Sequence, residues 1–255
     1  MLKKLILLFI LCFQTQVLGF VVLIDPGHGG EEYGAVKTVR VKKGKKVIKE
    51  KVYEKDLALS LAKKVKNYLD PFYTTYLTRS FDRSVGLNER AEMADAVKAD
   101  LFISIHFNSA TNTSSHGFET YYLDNHADAA IKKVETVENK YLEGAEKVVN
   151  HILIDLVIQK TVSASKKLAS KVHKRIQGSV QDKFKMKDRG IKPGLFYVLA
   201  LSKRPGILVE AGFMSHHKEI WKLRRKDFLD RYAKSIAEGV KDYLKTKTQK
   251  DLPLF

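Results

Sequence analysis

Short apolar runs alternate with amphipathic stretches from residue 20 to residue 245. Residues 20–24, 73–78, 100–105, 118–123, 196–199 and 207–210 are apolar, aromatic or β-branched runs too short for ordinary helices, and they predict strands. Between them, residues 53–69 place Leu57, Leu61, Val65 and Leu69 on one stripe, which predicts a helix. Residues 87–97, 127–148, 151–176 and 226–245 carry helical patterns as well. The alternation predicts an α/β fold: a single domain with a mostly parallel twisted sheet of about six strands and helices on both faces. No internal repeat, low-complexity segment or Pro-rich linker marks a second domain.

The 255 residues suffice for one sizeable core. Lysines at 3 and 4, an apolar run over 5–12 and the small or branched residues Val17 and Gly19 read as a secretory signal peptide, residues 1–19, leaving 20–255 as the catalytic domain. Gln14, Thr15 and Gln16 cut the apolar run well short of the roughly 20 residues a spanning helix needs, so no permanent membrane anchor is expected. Cys12 follows Leu11, where a lipid-modified cysteine wants a small residue. It is the single cysteine, so the exported domain is expected to hold together without disulfides. Loss of the two signal lysines takes the formal net charge from +17 to +15. Such an excess favours a polyanionic partner, and export removes nucleic acid from the candidates. Residues 39–51 concentrate the charge, with seven Lys or Arg against one Glu. Gly44 marks a turn there, and the expectation is a solvated hairpin tip rather than a dedicated binding patch.

Four residues stand where predicted strands end or a predicted helix begins, the edge at which α/β enzymes place their chemistry. His28 lies in FVVLIDPGHGG, His106 ends LFISIH, Glu210 follows Ile-Leu-Val, and Glu54 opens the helix that carries the Leu57 stripe. A zinc hydrolase needs three N or O ligands, an open position and a nearby base that is not a ligand. His28, Glu54 and His106 supply the first set and Glu210 the second. With one Zn2+ per chain, two neutral imidazoles and one carboxylate leave the site at net +1. Each residue also has a plain structural reading: His28 as a surface residue of a Gly-rich turn, and Glu54 as a first-turn acid favoured by the helix dipole. Glu210 resists such a reading, because a carboxylate ending a buried strand must be solvated, paired or catalytic. Glu50, Glu31 and Glu32 compete with Glu54 for the second ligand position. Asp25 is placed behind the ligands, either orienting His28 or capping a turn, and Asn108 follows His106 on the same strand.

DPGHGG at 25–30, EKDLALSLA at 54–62, ADLFISIHFNSA at 99–110 and ILVEAGFMSH at 207–216 resemble, in order, the motif set of the zinc-dependent N-acetylmuramoyl-L-alanine amidases of the division-associated type. Leu87, Arg90 and Ala94, and DRGIKPGLFYVL at 188–199, extend the likeness over almost the whole chain. Carried over position by position, the resemblance makes His28, Glu54 and His106 zinc ligands and Glu210 the catalytic residue. It implies cleavage of the amide between N-acetylmuramic acid and the L-alanine of the stem peptide in peptidoglycan, for wall remodelling and daughter-cell separation, in the periplasm. It also implies an activator protein that displaces a helix covering the site. Residues 127–150 fit that helix: Ala127, Ile131, Val134, Tyr141, Ala145 and Val148 form a stripe interrupted by Glu138, the candidate autoinhibitory plug. Two departures stand out. The stretch between Gly34 and Glu54 is longer and more basic than the family leads one to expect, and His216 stands where the family often has Asn.

A serine-type D,D-carboxypeptidase is the competing enzyme class. Ser163 with Lys166, and Ser60 with Lys63, have the SxxK spacing that puts Lys one helical turn beyond Ser, but both lie in amphipathic helices without clear SxN and KTG partners. A non-enzymatic wall-binding protein would have no use for Glu210 beside two strand-end histidines. A zinc peptidase acting on proteins differs from the amidase only in its substrate.

Overall fold

The computed structural model describes residues 19–124, 145–248 and 251–252. Residues 1–18 of the expected signal segment, most of the expected regulatory helix and its Glu138 lie outside the described residues. Six strands form one sheet: β1 (Val21–Pro26), β4 (Thr74–Leu77), β5 (Leu101–Asn108), β6 (Phe118–Leu123), β7 (Asp188–Gly194) and β8 (Gly206–Phe213). Their order is β4-β1-β5-β8-β6-β7. The first four run parallel; β6 is antiparallel to β8 and parallel to β7. β2 (Val36–Lys43) and β3 (Lys46–Tyr53) form a separate two-stranded hairpin.

The pleat sorts side chains between two apolar layers. Val22, Ile24, Ile103, Ile105, Ile207 and Val209 face a core shared with α1 (Glu54–Leu69), α3 (Ala145–Ile176) and α6 (Lys226–Leu244). Leu23, Phe102 and Leu208 face the opposite layer, with α2 (Leu87–Ala96) and α4 (Tyr197–Ser202). A short α5 (Glu219–Leu223) links β8 to α6. On the second face the strands turn from apolar to polar as they approach their carboxyl ends. Leu23 is followed by Asp25, Phe102 by Ser104 and His106, and Leu208 by Glu210, each two residues on and therefore on the same side of the sheet.

The expected single-domain, mostly parallel α/β architecture is the one observed, with local corrections. Residues 197–202 are helix α4, where a strand was expected, because a short apolar run such as YVLAL has no periodicity to separate the two. The strand lies just before it, over DRGIKPG. Pro193 and two glycines disguise β7, which tolerates them as the edge strand, paired among the described residues with β6 alone. Residues 127–144 of the first expected helix lie outside the described residues, and the break expected between residues 148 and 151 is not observed, since α3 is continuous from Ala145 to Ile176. No Gly or Pro stands near residue 150 to end it. It runs on into a π-helical turn, Gln177–Gln181.

The basic stretch is a hairpin, as expected, but a full one. Each strand has eight residues around Gly44 (φ 61°) and Lys45, a two-residue turn whose first position favours glycine. Val39 and Val52 are buried in the main core, and Glu50 pairs with Arg224. On the opposite face Arg40, Lys42, Lys49 and Lys51 are exposed.

Candidate metal centre

The first ligand candidate sits on a strained turn. β1 ends at Pro26, the Gly27 amide donates to the Ile105 carbonyl at 2.9 Å, and His28 adopts φ 57°, uncommon for a residue with a Cβ. Two buried arginines hold this turn by its carbonyls. Arg79 donates to Pro26 O (3.1 Å), Gly27 O (2.8 Å) and, across to α1, Lys55 O (2.8 Å). Arg90 donates to Pro26 O and His28 O, both at 3.0 Å. Glu54 begins α1, so its carboxylate arrives from the helix start while His106 arrives from β5.

The three side chains meet. Glu54 Oε1 lies 3.2 Å from His28 Nε2 and 3.1 Å from His106 Nδ1 and accepts the Phe107 amide at 3.0 Å. Its Oε2 accepts the Ala35 amide at 2.8 Å. The imidazoles stand edge to face, centroids 4.9 Å apart at 75°, and one ligand atom from each of the three residues falls within 4.8 Å of the others. Burial acts to raise the Glu54 pKa, but the two histidines outweigh it and hold the carboxyl well below its usual range. Glycines keep the approach open: a Cβ on Gly27 would lie 2.4 Å from His106 Nε2, and one on Gly34 2.5 Å from Glu54 Oε2 and 2.6 Å from His28 Cδ2. Two imidazole nitrogens and a carboxylate oxygen converging in a glycine cradle fit a divalent cation.

Glu210 is 6% exposed and stands directly opposite His106 in the β5–β8 register. With the three ligand candidates it lines a cavity of about 530 Å3, alongside Tyr33 and Tyr197. On the other side of Glu210, in the β6–β8 register, stands Glu119, a residue sequence reasoning passed over. Glu119 is fully buried. It accepts from Tyr121 Oη at 2.5 Å, Lys192 Nζ at 2.7 Å, Asn108 Nδ2 at 3.2 Å and the Arg189 guanidinium. Burial, Glu119 and Glu210 together push the Tyr121 hydroxyl far up, so it stays a donor. The signal was present in FETYYL, since an acid inside an apolar strand carries the same implication as Glu210.

Other expected residues take more specific places. The Asp25 carboxylate is engaged by Thr78 Oγ1 (2.6 Å), Ser104 Oγ (2.9 Å) and Arg90. Its influence on His28 therefore runs through Arg90 to the His28 carbonyl. Asn108 lines the cavity and reaches Glu119 rather than a ligand candidate. Glu50 is committed to Arg224. Glu31 and Glu32 are exposed at the cavity rim. The His216 ring packs between those of His116 and His217. Ser163 and Lys166 are exposed on α3, and neither they nor Ser60 and Lys63 line the cavity, so the structure lends the serine reading no support.

Two measurements check this site. Metal analysis after dialysis against a zinc salt should find about one equivalent in the unmodified protein and in Glu50→Gln, and far less in Glu54→Gln; equal retention by Glu54→Gln would remove Glu54 from the ligand set. Asp25 provides a pH signature. Burial acts to raise its pKa, but Arg90 and Thr78 outweigh it and leave the folded value below the ordinary one. Its stabilisation is therefore present above the unfolded pKa of about 3.9 and is lost as pH falls through the lower folded value. Acid unfolding of Asp25→Asn should lose part of its dependence on pH below about 4, whereas an unchanged acid limb would mean Asp25 titrates alike folded and unfolded.

Residues 22–242 match the family described as N-acetylmuramoyl-L-alanine amidase. The chain is 33% identical over 233 residues to the amidase AmiA of Escherichia coli K12, covering 88% of this chain and 75% of that one. It is 30% identical over 231 residues to LytC of Bacillus subtilis, covering 90% of this chain but 36% of LytC; it thus spans only about a third of that relative. The crystal structure of an N-acetylmuramoyl-L-alanine amidase from Clostridium difficile 630 superposes with a TM-score of 0.65 at 30% identity, covering 91% of this chain and all of that one. The order of motifs, the fold and the match over residues 22–242 agree, and the chain belongs to the N-acetylmuramoyl-L-alanine amidase family.

Proposed function

We propose that this chain hydrolyses the amide joining N-acetylmuramic acid to the L-alanine of the stem peptide in peptidoglycan, with zinc held by His28, Glu54 and His106. The observation that carries the reading is the placement of Glu210 directly across from His106, in the same cavity as the three ligand candidates. A bound zinc ion supplies a Lewis acid and lowers the pKa of water. Glu210 then takes the proton from the attacking water and returns it to the departing alanine amine. Glu119 is neutralised by Arg189 and Lys192, so it sets no uncompensated negative charge beside Glu210. Tyr121, kept protonated, lines the same cavity.

The same reading places the enzyme outside the cytoplasm after removal of residues 1–19, with the periplasm as its compartment. Among the described residues no helix is long and apolar enough to cross a membrane. The regulatory part, residues 127–150 with Glu138 as a plug that an activator protein removes, rests on the sequence alone.

Mass spectrometry of digested sacculi tests the proposal. Free stem peptides beginning in L-alanine should appear, vanish with a chelator, return with zinc, and fall about 10²–10⁴-fold in rate for Glu210→Gln while that variant keeps its metal. Release of terminal D-alanine alone, indifferent to chelation, would refute it.

A further inference from the structure

The β2–β3 hairpin carries eight Lys or Arg against the single Glu50, and so +7 of the chain's +17 net charge. Its two faces differ in kind. The inward face is anchored by buried Val39 and Val52, by the Glu50–Arg224 pair and by Lys37 Nζ on the Ser215 carbonyl at 2.9 Å. The outward face presents Arg40, Lys42, Lys49 and Lys51 to solvent, and among the described residues no carboxylate pairs with any of them. Arg40 stands directly opposite Lys49, and at the tip Lys43 stands opposite Lys46. Like charges at facing positions destabilise a hairpin, so folding alone does not favour this arrangement. The strip also leads into the site. Val36 and Tyr53, paired at the base of the same outward face, adjoin the cavity: Val36 lines it, and Tyr53 packs on cavity-lining Tyr33 with ring centroids 5.1 Å apart and immediately precedes Glu54. Eight residues per strand extend the strip about 25 Å from there.

We propose that this outward face is an electrostatic docking strip for the polymeric substrate, gripping the carboxylates of stem peptides that neighbour the one in the cavity. The inference rests on the peptidoglycan reading of the site and adds a binding surface to it. A polyanion relieves the facing-charge repulsion that the free hairpin bears, and the rigid inward face keeps the strip aligned with the cavity mouth. Repeated contacts on an insoluble polymer favour rebinding near the last cut, so the strip acts on sacculi and not on small fragments.

The test compares the unmodified chain with Arg40→Gln/Lys42→Gln/Lys49→Gln/Lys51→Gln and with the double variant Arg40→Gln/Lys42→Gln. Each is assayed for pelleting with sacculi stripped of phosphodiester polymers, for hydrolysis of sacculi and of a soluble muramoyl-peptide monomer, and for Tm. The quadruple variant should bind sacculi about tenfold more weakly, the sum expected of four screened surface charges, and lose most of the salt dependence of binding. The double variant should fall between. Monomer hydrolysis should hold, and Tm should not drop, because Arg40 no longer opposes Lys49. Unchanged pelleting by both variants overturns the proposal. So does pelleting by the unmodified chain that disappears once phosphodiester polymers are stripped, or a deficit confined to phosphatidylglycerol vesicles, which would assign the strip to a membrane. If no protein cleaves either the sacculi or the monomer yet the variants still lose sacculus binding, the catalytic reading fails and the docking strip stands.

Discussion

Buried carboxylates at the carboxyl edge of the parallel strands set the terms for the rest of the structure. Asp25, Glu54, Glu119 and Glu210 are each 6% exposed or less, and an acid so placed must be compensated or it will not stay ionised. Each has its own solution. Asp25 is matched by Arg90 with two hydroxyls, and Glu119 by Arg189 and Lys192. Glu54 is met by two imidazoles and two backbone amides. Glu210 lies in the shared cavity. A divalent cation held by His28, Glu54 and His106 would complete this pattern by supplying a large positive charge where the acids are concentrated.

The scaffold that permits this is the two-residue period of the strands. One face of β1, β5 and β8 stays apolar along its length, while the other turns polar near the carboxyl ends. That places Asp25, Ser104, His106 and Glu210 side by side without any irregular backbone. Irregular backbone follows just beyond them: the β5–β8 register shifts between His106 and Asn108, and in the DPGHGG turn His28 holds a left-handed conformation under the grip of Arg79 and Arg90. Arg90 also pairs with buried Asp25, and removing one partner of such a buried ion pair costs about 3–5 kcal/mol.

Much of this was legible in the sequence, for a definite reason. A polar residue ending an apolar run has no packing role, which singled out His106 and Glu210, and a carboxylate at the head of a helical stripe singled out Glu54. Glu119 escaped because FETYYL carries other polar groups that mask its acid. Arg79 was hidden, and Arg90 was singled out only through the resemblance and without a role, because arginine is read as a surface residue, and only the fold shows that both turn inward to bond carbonyls. Strand β7 was obscured by Pro193 and its glycines, which an edge position tolerates. The hairpin's charge was visible from the start, but its two-faced character depends on a register that composition does not supply. The long gap before Glu54 made that residue the least secure ligand in the sequence. In the fold the hairpin occupies the gap and brings its two ends together, with Ala35 bonded to Glu54.

X-ray absorption at the zinc edge of the loaded protein addresses the central claim most directly. The account predicts a shell containing two imidazole nitrogens and a carboxylate oxygen at about 2.0–2.2 Å, unchanged in Glu210→Gln and reduced to a single imidazole in His106→Ala. A shell of oxygen donors alone, or one that loses a ligand when Glu210 is replaced, would contradict it.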